Sequence, residues 1–289
     1  MNKFSIVCDH VSILGESPIW DEIYQRIYWV DIESKSLHAW SYIDNQKLEW
    51  NFDHRICAIS LTKNSDILLC GFEKYFAFYN IKTKNVQKIQ NQINLPKNVR
   101  FNDGKTDGFG RFWCGTMSED SPSKADGAIY IVDKKLEIHK IFDGVHISNS
   151  LTSSPDNKYI YYADTFKKQI YKVDLSLDIS KIKSAEVFVD NTNLKGFPDG
   201  STTDINGHLW NAEWNGGQVI EYNLNGNIQN RIEVPMKKPT CCAFGGPNMD
   251  ILFITSAMDN SSIKNDVSGK TISIHTKTKG NYSNRFVTK

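Results

Sequence analysis

The amino-acid sequence predicts an all-β protein, a single six-bladed β-propeller domain over residues 1–289. Three observations carry that prediction. A short apolar strand recurs six times along the chain. A second strand follows each copy. No stretch sustains the apolar period of a helix.

The recurring strand appears as Ile27-Tyr28-Trp29-Val30-Asp31, Ile67-Leu68-Leu69-Cys70, Phe112-Trp113-Cys114-Gly115, Tyr159-Ile160-Tyr161-Tyr162, Leu209-Trp210-Asn211-Ala212 and Ile251-Leu252-Phe253-Ile254. The copies start 40, 45, 47, 50 and 42 residues apart, and four of them follow a polar turn pair such as Gly110-Arg111 or Gly207-His208. Second strands follow at Leu37 to Trp40, Tyr75 to Tyr79, Ala128 to Val132, Ile170 to Val173, Gln218 to Tyr222 and Thr271 to His275. Polar third strands such as Lys47 to Phe52 and Ile228 to Val234 close most units. Repetition of small sheets around an axis leaves only short, protected edges and one continuous core. Phe4 to Cys8 is expected to complete the blade that holds the C-terminus and so fasten the ring. Ser118 to Asp126 and Leu175 to Ala185 read as loops. No linker rich in Pro, Gly or Ser divides the chain, which argues against two smaller β-domains.

Composition agrees. Of 289 residues 40% are hydrophobic, and 12% are aromatic, including seven Trp and twelve Tyr. Such aromatic content favours strands. A formal net charge of +1 provides no field for nucleic acid or anionic lipid. No apolar stretch is long enough to span a membrane, and Met1 to His10 lacks the apolar core of a signal peptide, so a cytoplasmic location is expected. The six cysteines form no CxxC pair and read as small buried hydrophobes.

Ten or eleven residues before each repeat strand stand Glu16, Ile56, Asn102, Asn149, Asp199 and Cys241. These positions should lie near the start of each blade's innermost strand and face one end of the central channel. Four of the six carry side-chain oxygen. Two carboxylates meeting in a narrow channel repel, and one takes up a proton unless a positive charge offsets them. A hard divalent cation does so; calcium accepts carboxylate and amide oxygens together. No histidine falls at this phase, as a transition metal would favour. Asp199, between Pro198 and Gly200, is thus expected to serve the axis as well as the chain's local geometry.

At these residues the chain resembles the senescence-marker/gluconolactonase/regucalcin (luciferin-regenerating-enzyme-like) family of six-bladed propellers. The matching stretches are LGESPIWDE (Leu14 to Glu22), RFNDGKTDGFGRFWCGTM (Arg100 to Met117), ISNSLTSSPD (Ile147 to Asp156), GFPDGSTTDINGHLWNAEW (Gly196 to Trp214) and PTCCAFGGPNMDILFITSA (Pro239 to Ala257). The resemblance implies one divalent metal ion on Glu16, Asn149 and Asp199, calcium first and zinc, manganese or magnesium as alternatives, with Asn102 as a further ligand or substrate contact. It implies that Arg100 and an acidic residue after Met117, here assigned as Asp120 in Ser118-Glu119-Asp120, hold substrate hydroxyls. Ser17 and Ser150 stand where many members have glycine and are expected to narrow the pocket. The implied activity is hydrolysis of a sugar lactone.

Residues and resemblance converge on metal-assisted hydrolysis: carbonyl polarisation followed by attack of water. Whether Asp199 or the ion activates the water stays open. No GxSxG elbow or glycine-rich phosphate loop occurs in the chain. His54 and His146 could approach the channel mouth, although a lone histidine is more often structural. Two other classes remain: a non-enzymatic calcium-binding regulatory propeller, and an aryl-ester or organophosphate hydrolase using the same residues. Tyr28-Trp29-Val30-Asp31 is similar to the YWTD repeat of receptor propellers, but only the first unit carries it. The expected partner is a small sugar lactone, with no nucleic acid and no membrane; the sequence is silent on oligomeric state.

Overall fold

Each of the six repeats folds into a four-stranded antiparallel sheet. The structure, a computed structural model, describes residues 3–259 and 267–288. Strand β1 is Ser5–Ile6. Blade one contains β2 (Gly15–Asp21), β3 (Arg26–Asp31), β4 (Ser36–Ser41) and β5 (Lys47–Asn51). Blade two contains β6 (Ile56–Leu61), β7 (Ile67–Phe72), β8 (Phe76–Asn80) and β9 (Val86–Lys88). Blade three contains β10 (Val99–Thr106), β11 (Phe112–Ser118), β12 (Gly127–Val132) and β13 (Ile138–Val145). Blade four contains β14 (Ser148–Ser153), β15 (Tyr159–Asp164), β16 (Gln169–Asp174) and β17 (Glu186–Asp190). Blade five contains β18 (Phe197–Thr203), β19 (Leu209–Trp214), β20 (Gln218–Tyr222) and β21 (Ile228–Glu233). Blade six contains β22 (Pro239–Gly245), β23 (Ile251–Ser256) and β24 (Ile272–His275), and β1 pairs with β24 as its outermost strand.

The first strand of each blade is innermost, and these strands contact one another in a closed cycle, β2-β6-β10-β14-β18-β22 and back to β2. Burial follows from that position. Every residue of β2, β6, β14 and β22 is buried, whereas β9 is exposed throughout. Short, polar outer strands leave little edge for pairing with another chain. The recurrent apolar strands seen in the sequence are the second strands of the blades, and their alternate faces pack between blades. Trp20 stacks on Phe253 at 5.7 Å across blades one and six, Phe76 meets Phe101 at 4.3 Å across two and three, and Trp210 meets Phe244 edge-on at 5.5 Å across five and six. Each such ring contributes roughly 1.5–3 kcal/mol by leaving water.

Ring closure is the one expected from the sequence: Ser5 pairs with Ser273 and Ile6 with Ile272. The loops after β11 and β16 are also as expected, except that the second contains a single 3-10 turn, Ile179–Lys181, capped by Asp178. Among the described residues there is no α-helix.

No repeat or apolar pattern in the sequence points to the course of the chain after β24. The segment from Lys279 to Val287 runs across the far ends of the innermost strands and touches every blade. Gly280 bridges Asp204, Asn284 donates to Thr106 O at 3.2 Å and Ser153 Oγ at 3.1 Å, and Phe286 N donates to Leu61 O at 2.8 Å. Arg285 reaches Asp21 Oδ1 at 2.8 Å and Thr62 O at 2.9 Å, and Gly280 lies against Phe244 of blade six. This strap floors the channel at the end away from Glu16 and Asp199.

Candidate functional site

Every innermost strand breaks register with its neighbour. The breaks fall at Glu16/Ile19, Ile56/Ala58, Phe101/Gly104, Asn149/Thr152, Pro198/Ser201 and Pro239/Cys242. A bulge adds a residue to one strand, bends it and re-aims its side chains. The six bulges form a ring inside the propeller, and the oxygen-bearing side chains sit on it. Glu16 and Asn149 are the last paired residues before their bulges, while Asn102 and Asp199 lie within theirs. The sequence phase therefore placed all four at the right level but blurred a one-residue offset.

All four are buried: Glu16 is 8% exposed, Asn102 7%, Asn149 5% and Asp199 5%. The amides are held by a chain of hydrogen bonds. Arg100 Nη1 donates to Asn102 Oδ1 at 2.7 Å and to Phe101 O at 2.9 Å. Asn102 Nδ2 donates to Asn149 Oδ1 at 2.8 Å and to Ser148 O at 2.9 Å. Asn149 Nδ2 donates to Thr165 Oγ1 at 2.9 Å, and Thr165 Oγ1 donates to Pro198 O at 2.7 Å. Blades three, four and five are thereby tied together around the cluster. Each amide oxygen keeps a second lone pair.

The carboxylates are less well served. Among the described residues, Glu16 Oε2 accepts only the Ser17 N–H, at 3.3 Å. Burial, followed by the nearby Asp103 charge, pushes the Glu16 carboxyl up to about 8. Burial and the charges of Glu16, Asp103 and Glu213 raise Asp199 well above the ordinary carboxylate range. Two desolvated, mutually repelling acids from blades one and five, with two oriented amide oxygens, make an all-oxygen donor set lacking positive charge. That set fits a hard divalent cation. Cys241 does not join it: burial keeps its thiol protonated, and it packs against Gly200. A Cβ on Gly200 would lie 2.2 Å from Cys241 Sγ, so glycine beside Asp199 permits the approach of blades five and six.

Two sequence expectations change, and the two histidines are structural as expected. Asp120 is not brought to the cluster. Its side chain is half exposed and pairs with Lys124 at 3.3 Å, because the chain turns outward after β11. Its neighbour Glu119 turns inward instead: it lies 3.6 Å from Arg100 Nε and takes a forked contact from Arg55 at 2.6 and 3.0 Å. Ser17 and Ser150 do not narrow the pocket. Both occupy left-handed backbone, φ 50° and 60°, at their bulges, which is why glycine suits these positions. Their hydroxyls bond to the next blade: Ser17 Oγ accepts Ile59 N–H at 3.0 Å, and Ser150 Oγ donates to Asp199 O while accepting from Asn211 Nδ2 at 2.9 Å. His146 and His54 are otherwise engaged, His146 with Asp164 at 2.8 Å and His54 with Glu73 at 3.3 Å.

Sequence reasoning missed Asp103. It is buried beside Asn102, and its carboxylate accepts Leu151 N–H at 2.7 Å and Gly104 N–H at 2.8 Å, joining blade three to the bulge of blade four. The signal was present in Asn102-Asp103-Gly104, but the repeat phase selected one residue per blade.

Comparison with known proteins agrees with this fold. The family model described as SMP-30/gluconolactonase/LRE-like region matches residues 14–258. The putative sugar lactone lactonase YvrE of Bacillus subtilis is 32% identical over 258 residues, covering 89% of this chain and 87% of that protein. The pentonolactonase XacC of Haloferax volcanii is 32% identical, with 87% and 84% covered. A regucalcin from Agrobacterium tumefaciens, described as a calcium-binding protein, superposes with a TM-score of 0.91 at 29% identity, covering 99% of this chain and 97% of its own. The ring of bulges, its buried acids and amides, and the match along 14–258 lead to one assignment: the chain belongs to the SMP-30/gluconolactonase/LRE-like family.

Proposed function

We propose that the chain is a metal-dependent hydrolase of sugar lactones, with Glu16, Asn149 and Asp199 holding the ion and Asn102 beside them. The observation that carries this reading is the meeting of two buried, mutually repelling carboxylates with two hydrogen-bonded amides, and with no basic side chain bonded to either acid among the described residues. A bound divalent ion, calcium by the hardness of the donors, would supply Lewis acidity toward the lactone carbonyl. Relatives named as sugar lactone and pentono-lactone hydrolases support the substrate class.

The chain's own residues account for the remaining needs. Asp199 accepts a proton from the attacking water at a carboxylate oxygen; water forms the new carbonyl C–O bond, the ring C–O bond breaks, and the departing ring oxygen takes up a proton as the hydroxy acid forms. Arg100 spends one nitrogen on Phe101 and Asn102 and retains further donors for sugar hydroxyls. Glu119, lying against Arg100 and held by Arg55, offers acceptors on the same side. The strap under the channel leaves the bulge end for substrate entry.

The test is a panel of aldonolactones and phenyl acetate followed with a pH indicator, with and without chelator. Sugar lactones should be hydrolysed, chelator should abolish the rate, and Glu16→Gln and Asp199→Asn should each lower it by at least ~10²-fold. Arg100→Lys should act mainly on KM. A preference for phenyl acetate would favour the aryl-ester reading. Metal-replete protein hydrolysing neither class would leave calcium binding without catalysis, the reading suggested by the likeness to a calcium-binding regucalcin.

A further inference from the structure

A second cluster of potential ligands lies on the outer part of blade one, apart from the channel. His38, in the middle of β4, is fully buried and paired in register with Trp29 on one side and Glu49 of β5 on the other. His10, from the segment linking β1 of blade six to β2 of blade one, lies against it, tilted, with ring centroids 3.8 Å apart. One ligand atom from each of His10, His38 and Glu49 falls within 4.8 Å of the others.

Aromatic packing beneath Trp29 is the simplest explanation, since that indole stacks on His38 at 5.4 Å. It leaves two polar atoms unexplained. Among the described residues, His10 Nε2 and His38 Nδ1 are both buried without a hydrogen-bond partner, a costly state for imidazole nitrogens. Nearby acceptors are engaged or distant. Asp31 lies 3.9 Å from His10 Nε2, but its two oxygens already accept Ile13 N–H, Leu14 N–H and the Ser34 hydroxyl. Glu49 Oε2 is 3.7 Å from His38 Nδ1. Meanwhile His38 Nε2 lies 2.8 Å from Ser36 Oγ. A proton on Nε2 donated to that hydroxyl leaves the Nδ1 lone pair free, the arrangement that orients metal-binding histidines.

We propose that this seam is a second metal site, in which His10, His38 and Glu49 take a borderline divalent ion such as zinc. Two imidazoles and one carboxylate suit zinc and leave a fourth position for water. Ligands around zinc stand about 3.4 Å apart, given bonds of about 2.0–2.1 Å, so the cluster closes by a small side-chain movement. Burial keeps both rings neutral near pH 7, as ligation requires. Nitrogen donors distinguish this site from the all-oxygen channel centre. Its ion would clasp the segment arriving from blade six onto blade one, at the place where the propeller closes.

The test uses full-length protein with calcium saturating the channel, titrated with zinc alone and with cobalt(II). We expect one further ion per chain, visible cobalt bands of a nitrogen-ligated site, and a melting temperature raised by zinc. His10→Gln and Glu49→Gln should each weaken the added ion more than tenfold while calcium binding persists; neither depends on replacing the fully buried His38. Asp199→Asn should leave the zinc site intact, so the outcome is independent of the lactonase reading. Zinc uptake below one per calcium-loaded chain, or uptake unchanged in both variants, would overturn the proposal.

Discussion

The Asn102 amide on blade three donates to Asn149 Oδ1 on blade four at 2.8 Å, so one proposed ligand is oriented by a neighbour that Arg100 in turn holds. Asn102→Ala would leave Asn149 held by Thr165 alone and remove the bond that fixes its oxygen. Loss of such an orienting partner typically costs about 10–100-fold in metal affinity. Calcium titration calorimetry should show that loss in Asn102→Ala, together with nearly unchanged thermal stability in chelator.

Ser150 combines an unfavourable backbone with a useful hydroxyl. At φ 60°, Ser150→Ala retains the left-handed conformation and loses the bonds to Asp199 O and Asn211, whereas Ser150→Gly loses the bonds but relieves the backbone. Urea unfolding should therefore rank wild type above Ser150→Gly, and Ser150→Gly above Ser150→Ala by about 1 kcal/mol. Both should bind metal more weakly, because the Asp199 carbonyl keeps only its bond from Asn211.

Glu213 supplies a pH dependence of its own, although its charge also bears on Asp199. It is fully buried, its Oε2 has no hydrogen-bond partner among the described residues, and burial lifts its carboxyl to about 7. The folded protein thus holds a proton that the unfolded chain releases near the ordinary carboxylate value of 4.5. Stability from this group is complete below that value and is lost as pH rises through about 7. With metal saturating, the melting temperature of the wild type should fall between about pH 5 and pH 8, and Glu213→Gln should flatten that slope.

Arg285 meets Asp21, a fully buried carboxylate whose other oxygen has no partner among the described residues. Removing one member of a buried pair strands the other, at a cost of about 3–5 kcal/mol. Arg285→Ala should destabilise the fold by that order in urea while the protein that remains folded binds metal normally.

The propeller was legible because period and burial coincide: the second strand of each blade is packed on both faces and reads as a continuous apolar run, at Ile67-Leu68-Leu69-Cys70 for instance. Glu16, Asn102, Asn149 and Asp199 could be selected because blade repetition maps sequence phase onto a ring. Phase could not resolve the bulges, since one inserted residue shifts a side chain without altering strand spacing. Nor could it separate Glu119 from Asp120, adjacent residues that a loop turns in opposite directions. The pairing of Arg285 with Asp21 joins opposite ends of the sequence, and no local pattern announces it.

The strap beneath the channel also imposes an order on the molecule's history. Its residues come after all six blades in the chain, so synthesis delivers the channel before its floor. A nascent chain with blade six just emerged would carry Asp21, Thr62, Thr106 and Ser153 at an open hole, their bonds to Arg285 and Asn284 not yet made. Closure of the ring and sealing of its base are thus separate events in time. The second belongs to a stretch shorter than any blade, so a few late residues supply the floor that all six blades share.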